Sequence, residues 1–236
     1  MKKISIAFVT MTLLFACSEK KLENNLHLTG NIKGLKKGTL YVQRVNNNKL
    51  IALDTIAIDG NSNFETNIEL KSPEMLYLFL DRGVSNSLDN NLLFFAEPGN
   101  VNIDTNLENY IADAKVTGSK NQDLYYEFKK VDNRFQEEEL GLIEKKFNAI
   151  KSNNEKEIAT ITAKQESNIK RKYLYATNFI INNKDYEVAP YLALSEIYDI
   201  NMKYLDTIQK SLSPKVTQSL YGKKLTKYIA SVKKQQ

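Results

Sequence analysis

The chain of 236 residues has one cysteine, one histidine and no tryptophan. A lone cysteine forms neither an intramolecular disulfide nor a Cys-x-x-Cys redox pair. His27 is the only imidazole available to a Ser-His-Asp triad, and a site with several histidine ligands is excluded. The chain lacks an apolar run of the roughly 20 residues needed to cross a bilayer as a helix; its main apolar stretch, residues 4–16, is shorter. A compact basic patch is also missing. The 33 basic side chains outnumber the 28 acidic ones but are interleaved with them, which argues against a nucleic-acid partner. The small clusters Lys223-Lys224 and Lys233-Lys234 read as solvated helix ends. No internal repeat is evident. These absences leave no catalytic constellation, so the expectation is a non-enzyme without a diffusible cofactor; an enzyme using Asp and Glu pairs across the β loops is the third reading and has no positive support in the sequence.

What is present begins at the N-terminus. Lys2 and Lys3 precede the apolar stretch, which ends in Leu14-Phe15-Ala16-Cys17. A positive start, a short apolar core and a small residue before the cleavage point describe a secretory signal. The leucine, small residue and cysteine resemble the lipobox of bacterial lipoproteins. That resemblance implies cleavage between Ala16 and Cys17, with acyl chains, palmitate among them, on the new terminal cysteine. Two acyl signals suffice for stable anchoring, since each buried methylene contributes about 0.8 kcal/mol. Ser18 rather than aspartate follows Cys17, so the expected location is the outer membrane. Glu19-Lys20-Lys21 is not an acidic export tract, which favours the periplasmic face. Loss of Lys2 and Lys3 leaves 31 basic against 28 acidic side chains.

The expected organisation is a signal over 1–16, a lipidated tether over 17–25, a β domain over 26–118 and a helical domain over 119–236. Leu26, Leu28, Gly30 and Ile32 alternate with polar residues, as in a half-buried strand. Further strands are expected over 39–45, through Ile51, Leu53, Thr55 and Ala57, through Phe64 to Leu70, at Val101 and Ile103, and over 111–116. Runs 75–80 and 92–96 lose the alternation and suit strands covered on both faces. The β half is therefore expected to be an antiparallel β-sandwich or small barrel. From Ser119 the period changes. Leu124, Phe128, Val131 and Phe135 form one helical stripe, extended by Leu142, Phe147 and Ile150. A second stripe runs through Ile158, Ile161, Ile169, Tyr173, Ala176 and Ile180. The two helices are expected to pair as a hairpin, followed by shorter helices over 188–198, 202–211 and 214–232, the last divided near Gly222. The fold class is thus α+β, a sandwich followed by an all-α hairpin or bundle.

Several segments carry a resemblance. Leu28-Thr29-Gly30-Asn31-Ile32-Lys33-Gly34, Gly38-Thr39-Leu40-Tyr41-Val42, Asp59-Gly60 and Phe64 are similar to the opening of an uncharacterised β domain found in envelope thiol:disulfide interchange lipoproteins. Phe95-Ala96-Glu97-Pro98-Gly99 with Val101-Asn102-Ile103, and Val116 to Asn121, resemble its later parts. Val188-Ala189-Pro190-Tyr191, Leu212-Ser213-Pro214 and Ser219-Leu220-Tyr221-Gly222-Lys223 resemble the helical region that joins it to a thioredoxin-like (AhpC/TSA) domain. The redox motif of that last domain has no counterpart here. The resemblance therefore implies an accessory, non-catalytic module, with a thioredoxin-like lipoprotein as a possible envelope partner.

Other signals are weaker. Asp59, Asn61 and Asn63 have calcium-loop spacing, but Phe64 and Leu70 stand where glycine and a bidentate glutamate belong, so a turn is the better reading. Glu137-Glu138-Glu139 reads as a solvated shoulder, because consecutive helical residues point apart. Tyr125, Tyr126, Tyr173, Tyr175, Tyr186, Tyr191, Tyr198 and Tyr204 fall on the helical half, where they pack between helices or line a glycan or peptide groove. Asp54-Thr55-Ile56 and Asp206-Thr207-Ile208 resemble short O-glycosylation sites of some bacterial envelope systems. The expected function is a lipid-anchored envelope module for protein interaction. The alternative is capture of a glycan or peptide between the two halves.

Overall fold

A computed structural model describes residues 24–47, 49–83 and 88–234. The expected signal, Cys17 and all but the end of the expected tether lie outside them. Eight strands come first: β1 (Leu26–Lys33), β2 (Lys37–Asn46), β3 (Lys49–Asp59), β4 (Asn63–Ile68), β5 (Glu74–Asp81), β6 (Asn91–Ala96), β7 (Gly99–Asn106) and β8 (Lys115–Thr117). Six helices follow: α1 (Lys120–Lys151), α2 (Glu155–Asn182), α3 (Val188–Ser195), α4 (Met202–Ser211), α5 (Pro214–Thr217) and α6 (Leu220–Lys233).

The strands form two four-stranded sheets, β4-β1-β7-β8 and β3-β2-β5-β6, which pack as a sandwich without closing into a barrel. Leu26, Leu28, Ile32, Val101 and Ile103 from the first sheet meet Leu40, Val42, Leu76, Leu78 and Phe94 from the second. The sheets are not wholly antiparallel, because β1 runs parallel to β7. Alternation along a strand reports which face is buried and carries no information on the direction of its neighbour. Gly30 faces this core. A Cβ there would fall 2.2 Å from the Ile103 carbonyl oxygen and 2.5 Å from the ring of Phe64, the residue opposite on β4. The absent side chain makes room for that ring.

The strand expected through Ile51, Leu53, Thr55 and Ala57 forms as β3 but without regular alternation, and the strand expected over 111–116 is corrected. On β3 the pairing passes from Val42–Asp54 to Gln43–Ala52, which leaves Leu53 in a bulge. The bulge reverses the faces: Leu53 and Ile56 both pack on the core, whereas Ile51 and Thr55 are exposed. The strand expected over 111–116 shrinks to Lys115–Thr117. Asn106 and Asn109 both bond the Asp113 carboxylate, and the Asp113 N–H donates to Asn109 O at 2.9 Å, so local polar groups fold this run into turns.

The 75–80 and 92–96 runs are covered on both faces only at the Met75 and Phe95 end; Tyr77 and Phe79 are half-buried and Leu93, on the edge strand β6, is exposed. Their outward residues Met75 and Phe95 enter the core of the helical half, with Leu124, Phe128, Ala189, Leu192 and Tyr221. Met75 N–H donates to the Tyr221 hydroxyl at 2.9 Å, and Phe95 N–H to Gln122 Oε1 at 2.5 Å. The two halves therefore share one continuous seam.

Ser119 starts α1 by accepting the Gln122 N–H at 3.1 Å. Asn154 caps α2 reciprocally: Oδ1 accepts the Glu157 N–H at 3.2 Å, and Nδ2 donates to the Glu157 carboxylate at 2.9 Å. The two long helices form the expected hairpin. The C-terminal helix divides at Ser219 rather than at Gly222, with Ser219 capping α6. Gly222 has a different reason to be glycine, since a Cβ there would lie 2.0 Å from Val216 O at the end of α5.

Candidate binding surfaces of the helical half

The hairpin is about 48 Å long at 1.5 Å per residue over the 32 residues of α1. Its first half is embedded in the molecule. Phe128 is fully buried, stacks on Tyr175 at 5.4 Å between centroids and meets Phe179 edge-on at 5.4 Å. Asp132, one turn on, is also fully buried. Lys129 Nζ lies 2.7 Å from Asp132 Oδ2, Lys172 Nζ 3.3 Å from Oδ1, and Gln136 Nε2 donates to Oδ2 at 2.6 Å. Burial works to raise the Asp132 pKa, but the Lys129 hydrogen bond and the charges of Lys129 and Lys172 outweigh it, so the carboxyl sits below its ordinary value. Burial likewise works to lower the Lys129 ammonium, and Asp132 and Glu196 hold it above the usual lysine range.

The distal half is different. Only Leu142, Ala149 and Ile161, with Ile158 beside them, form a thin core between the two helices. Leu140 is 66 % exposed and Phe147 56 %, with Ile143 and Ile150 comparably open. The spacing 140, 143, 147, 150 puts these four on one face of α1. The extension of the buried stripe through Phe147 and Ile150 is thus corrected: Leu142 faces α2 and the other two face outward. Ile169 on α2 is likewise exposed, because Asn168 takes the inner position and donates to Phe135 O at 2.9 Å.

Where the exposed face reaches the body of the molecule it opens into a groove of about 500 Å³. Phe135, Leu140, Ile169 and Tyr198 give it apolar walls, and Glu139, Lys172 and Glu196 polar ones. The Tyr173 hydroxyl, also on the groove, donates to Asp199 at 2.8 Å; burial and that carboxylate push its pKa up to about 12.

A second concavity, of about 580 Å³, lies between the two halves. Lys71, Ser72 and Pro73 line it from the β4–β5 loop, Glu97 and Pro98 from the β6–β7 turn, and the start of α1, the loop before α3 and the α5–α6 junction complete it. Glu97 is occupied at the α1 N-terminus, where its oxygens accept the Lys120 N–H at 2.6 Å and the Asn121 side chain at 2.5 Å. Asn121 Oδ1 accepts the Val188 N–H at 2.9 Å, tying α1 to α3.

Most residues singled out from sequence fall elsewhere. Tyr125, Tyr191 and Tyr221 form an edge-to-face cluster with Phe95 at the seam, at 5.0 to 6.1 Å, and Tyr175 packs on Phe128. Tyr126 accepts the Val116 N–H, Tyr186 lines the interdomain cleft and Tyr204 lies exposed, so only Tyr173 and Tyr198 reach the groove. Glu138 pairs with Arg171 at 2.6 Å, and Glu139 accepts from Gln165 at 2.7 Å; these two acids are cross-helix partners, not a merely solvated shoulder. Asn61 accepts the Asn63 N–H and Asn63 Oδ1 accepts from Asn31, which are turn and cross-strand bonds. His27 stands on the outer face of its sheet, 3.0 Å from Asn67 Oδ1. Thr55 and Thr207 are both exposed. Asp132 and Glu187 escaped notice in the sequence. The signal for Asp132 was its place four residues after Phe128, on the buried stripe, with Lys129 three residues before it.

Residues 26–125 match the family model of a domain of unknown function (DUF4369), so the match covers the sandwich and the first turn and a half of α1. This accords with the likeness of the β half to an uncharacterised β domain. Neither the curated proteins nor the solved structures gave a match.

Proposed function

We propose that the chain is a non-catalytic protein-binding module of the bacterial cell envelope, held at the periplasmic face of the outer membrane by lipid on Cys17. The observation that carries the reading is the exposed apolar face of the distal hairpin, with Leu140, Ile143, Phe147 and Ile150 leading into the 500 Å³ groove. A contiguous apolar patch on an otherwise charged helix pair marks an interaction site more often than a solvated surface. An amphipathic helix laid into such a groove would cover the stripe while its polar side met Glu139, Lys172 and Glu196. Anchoring would confine the module to a thin layer and raise its effective concentration toward other envelope proteins. A thioredoxin-like lipoprotein is the partner class that the sequence resemblance favours.

The test is in-cell photo-crosslinking of the tagged full chain, with the crosslinking residue at position 147 or, as control, at Glu65 on the outer face of the first sheet. One dominant protein adduct at 147 and none at 65 is expected; the same adducts at both positions would refute the reading. Metabolic palmitate labelling, expected to vanish in Cys17→Ser, tests the anchor separately. A second reading, capture of a small ligand between the halves, is favoured by the cleft beside Asn121 and Glu187.

A further inference from the structure

Three carboxylates are buried among the described residues: Glu74, Asp132 and Glu187. Glu74 is held by Arg44, whose Nη2 and Nε donate to it at 2.5 and 3.2 Å. Asp132 is held by two lysines and a glutamine. Glu187 has no comparable partner. Its side chain is 3 % exposed, yet its nearest donors are Asn121 Nδ2 at 3.4 Å and Lys215 Nζ at 3.6 Å. The latter is beyond hydrogen-bond range, and Lys215 itself is 78 % exposed, so it is a weakly held counter-ion. Glu187 precedes α3 but makes no capping bond with its side chain. A buried carboxylate held by one long hydrogen bond and a distant counter-ion is costly, and this one lines the open interdomain cleft.

The rim has the opposite deficit. Lys71 and Lys120 line the same cleft and form no ion pair among the described residues, and Glu97 is consumed by the α1 N-terminus. An acid short of donors on the inner wall and unpaired ammonium groups at the lip fit a ligand carrying both charges. The volume is within the usual range for small-molecule sites, about 300 to 1,000 Å³. Resting on the second reading above, we infer that the cleft binds a zwitterion of the short-peptide class. Its free ammonium donates to Glu187 in the place Lys215 approaches, and its carboxylate lies against Lys71 and Lys120. Binding is non-covalent, and Glu187 is a binding residue with no part in a reaction.

The experiment is a titration of the full chain, made soluble by Cys17→Ser, with four probes followed by amide NMR and calorimetry: Ala-Ala, N-acetyl-Ala-Ala, Ala-Ala-amide and a chitin trisaccharide. Ala-Ala is expected to bind and to shift the amides of Asn121, Glu187 and Val188. Blocking its amine should weaken it at least tenfold, and blocking its carboxylate several-fold. Glu187→Gln should abolish the preference for the free amine. Lys71→Ala with Lys120→Ala, on the surface and harmless to folding, should abolish the preference for the free carboxylate. Equal binding of the acetylated and free peptides, or binding of the trisaccharide alone, would overturn the ligand class and leave a ligand cleft standing. Silence from all four probes would overturn both, with Glu187 then simply hydrated.

Discussion

The two ends of the helical hairpin are built from the same two helices and do opposite things. Near the sandwich, α1 and α2 are gripped by α3 and α4 and by Met75 and Phe95 of the second sheet, and even an ionised group, Asp132, is sealed in. Toward the tip the same helices keep only Leu142, Ala149, Ile158 and Ile161 between them and leave larger apolar side chains in water. Stability is concentrated at one end and surface available for binding at the other. Side chains of similar hydrophobicity thus serve the fold or a partner according to what surrounds them, which is why Phe128 and Phe147 have different expected roles.

The sharpest way to break this comparison is to truncate those two phenylalanines. Phe128→Ala is expected to cost about 3–5 kcal/mol in urea denaturation, and Phe147→Ala no more than about 0.5 kcal/mol. Similar losses at both sites would mean that the distal half is packed in solution. Next in size is Asp132→Ala, which strands Lys129 and Lys172 and is expected to cost about 3 kcal/mol or more. The pH dependence follows from the depressed pKa of Asp132. Its contribution is complete above the unfolded value of about 3.9 and is lost as pH falls through the lower folded value. Asp132→Asn should therefore flatten the acid limb of the stability profile below about pH 4; an unchanged limb would count against the buried pair. Tyr221→Phe removes the acceptor for Met75 N–H at the seam and should cost about 1–3 kcal/mol. The smallest expected effect on stability is that of Leu140→Asp with Ile143→Asp, the crosslinking residue being kept at position 147. Melting temperature should hold within a few degrees while crosslinking to the partner disappears; retained crosslinking would move the docking surface elsewhere.

Much of this fold was legible in the sequence because burial imposes period. Leu26, Leu28 and Ile32 alternate as their strand does, and Leu124 and Phe128 keep helical step where the core of the helical half covers them. Legibility failed where period and burial part company. At Leu53 one extra residue reversed the faces of β3. Beyond Phe135 nothing but the facing helix fixes which side of α1 is inside, so Phe147 and Ile150 looked like core and are surface. The candidate sites were harder still. Glu187 and Lys71 belong to one cleft although more than a hundred residues separate them. No local pattern signals that a buried acid is short of donors.

The placement of β1 has a mechanical consequence. It is the first strand of the chain, yet it is an inner strand, hydrogen-bonded to β4 on one side and β7 on the other. Asn25, just ahead of it, adds two side-chain bonds to Leu70, each 2.9 Å long. A load entering through the N-terminal end therefore meets two ladders that resist at once, whereas an edge strand would yield by unzipping one. Tension applied to the chain ahead of Leu26 is borne first by the most cross-braced strand of its sheet.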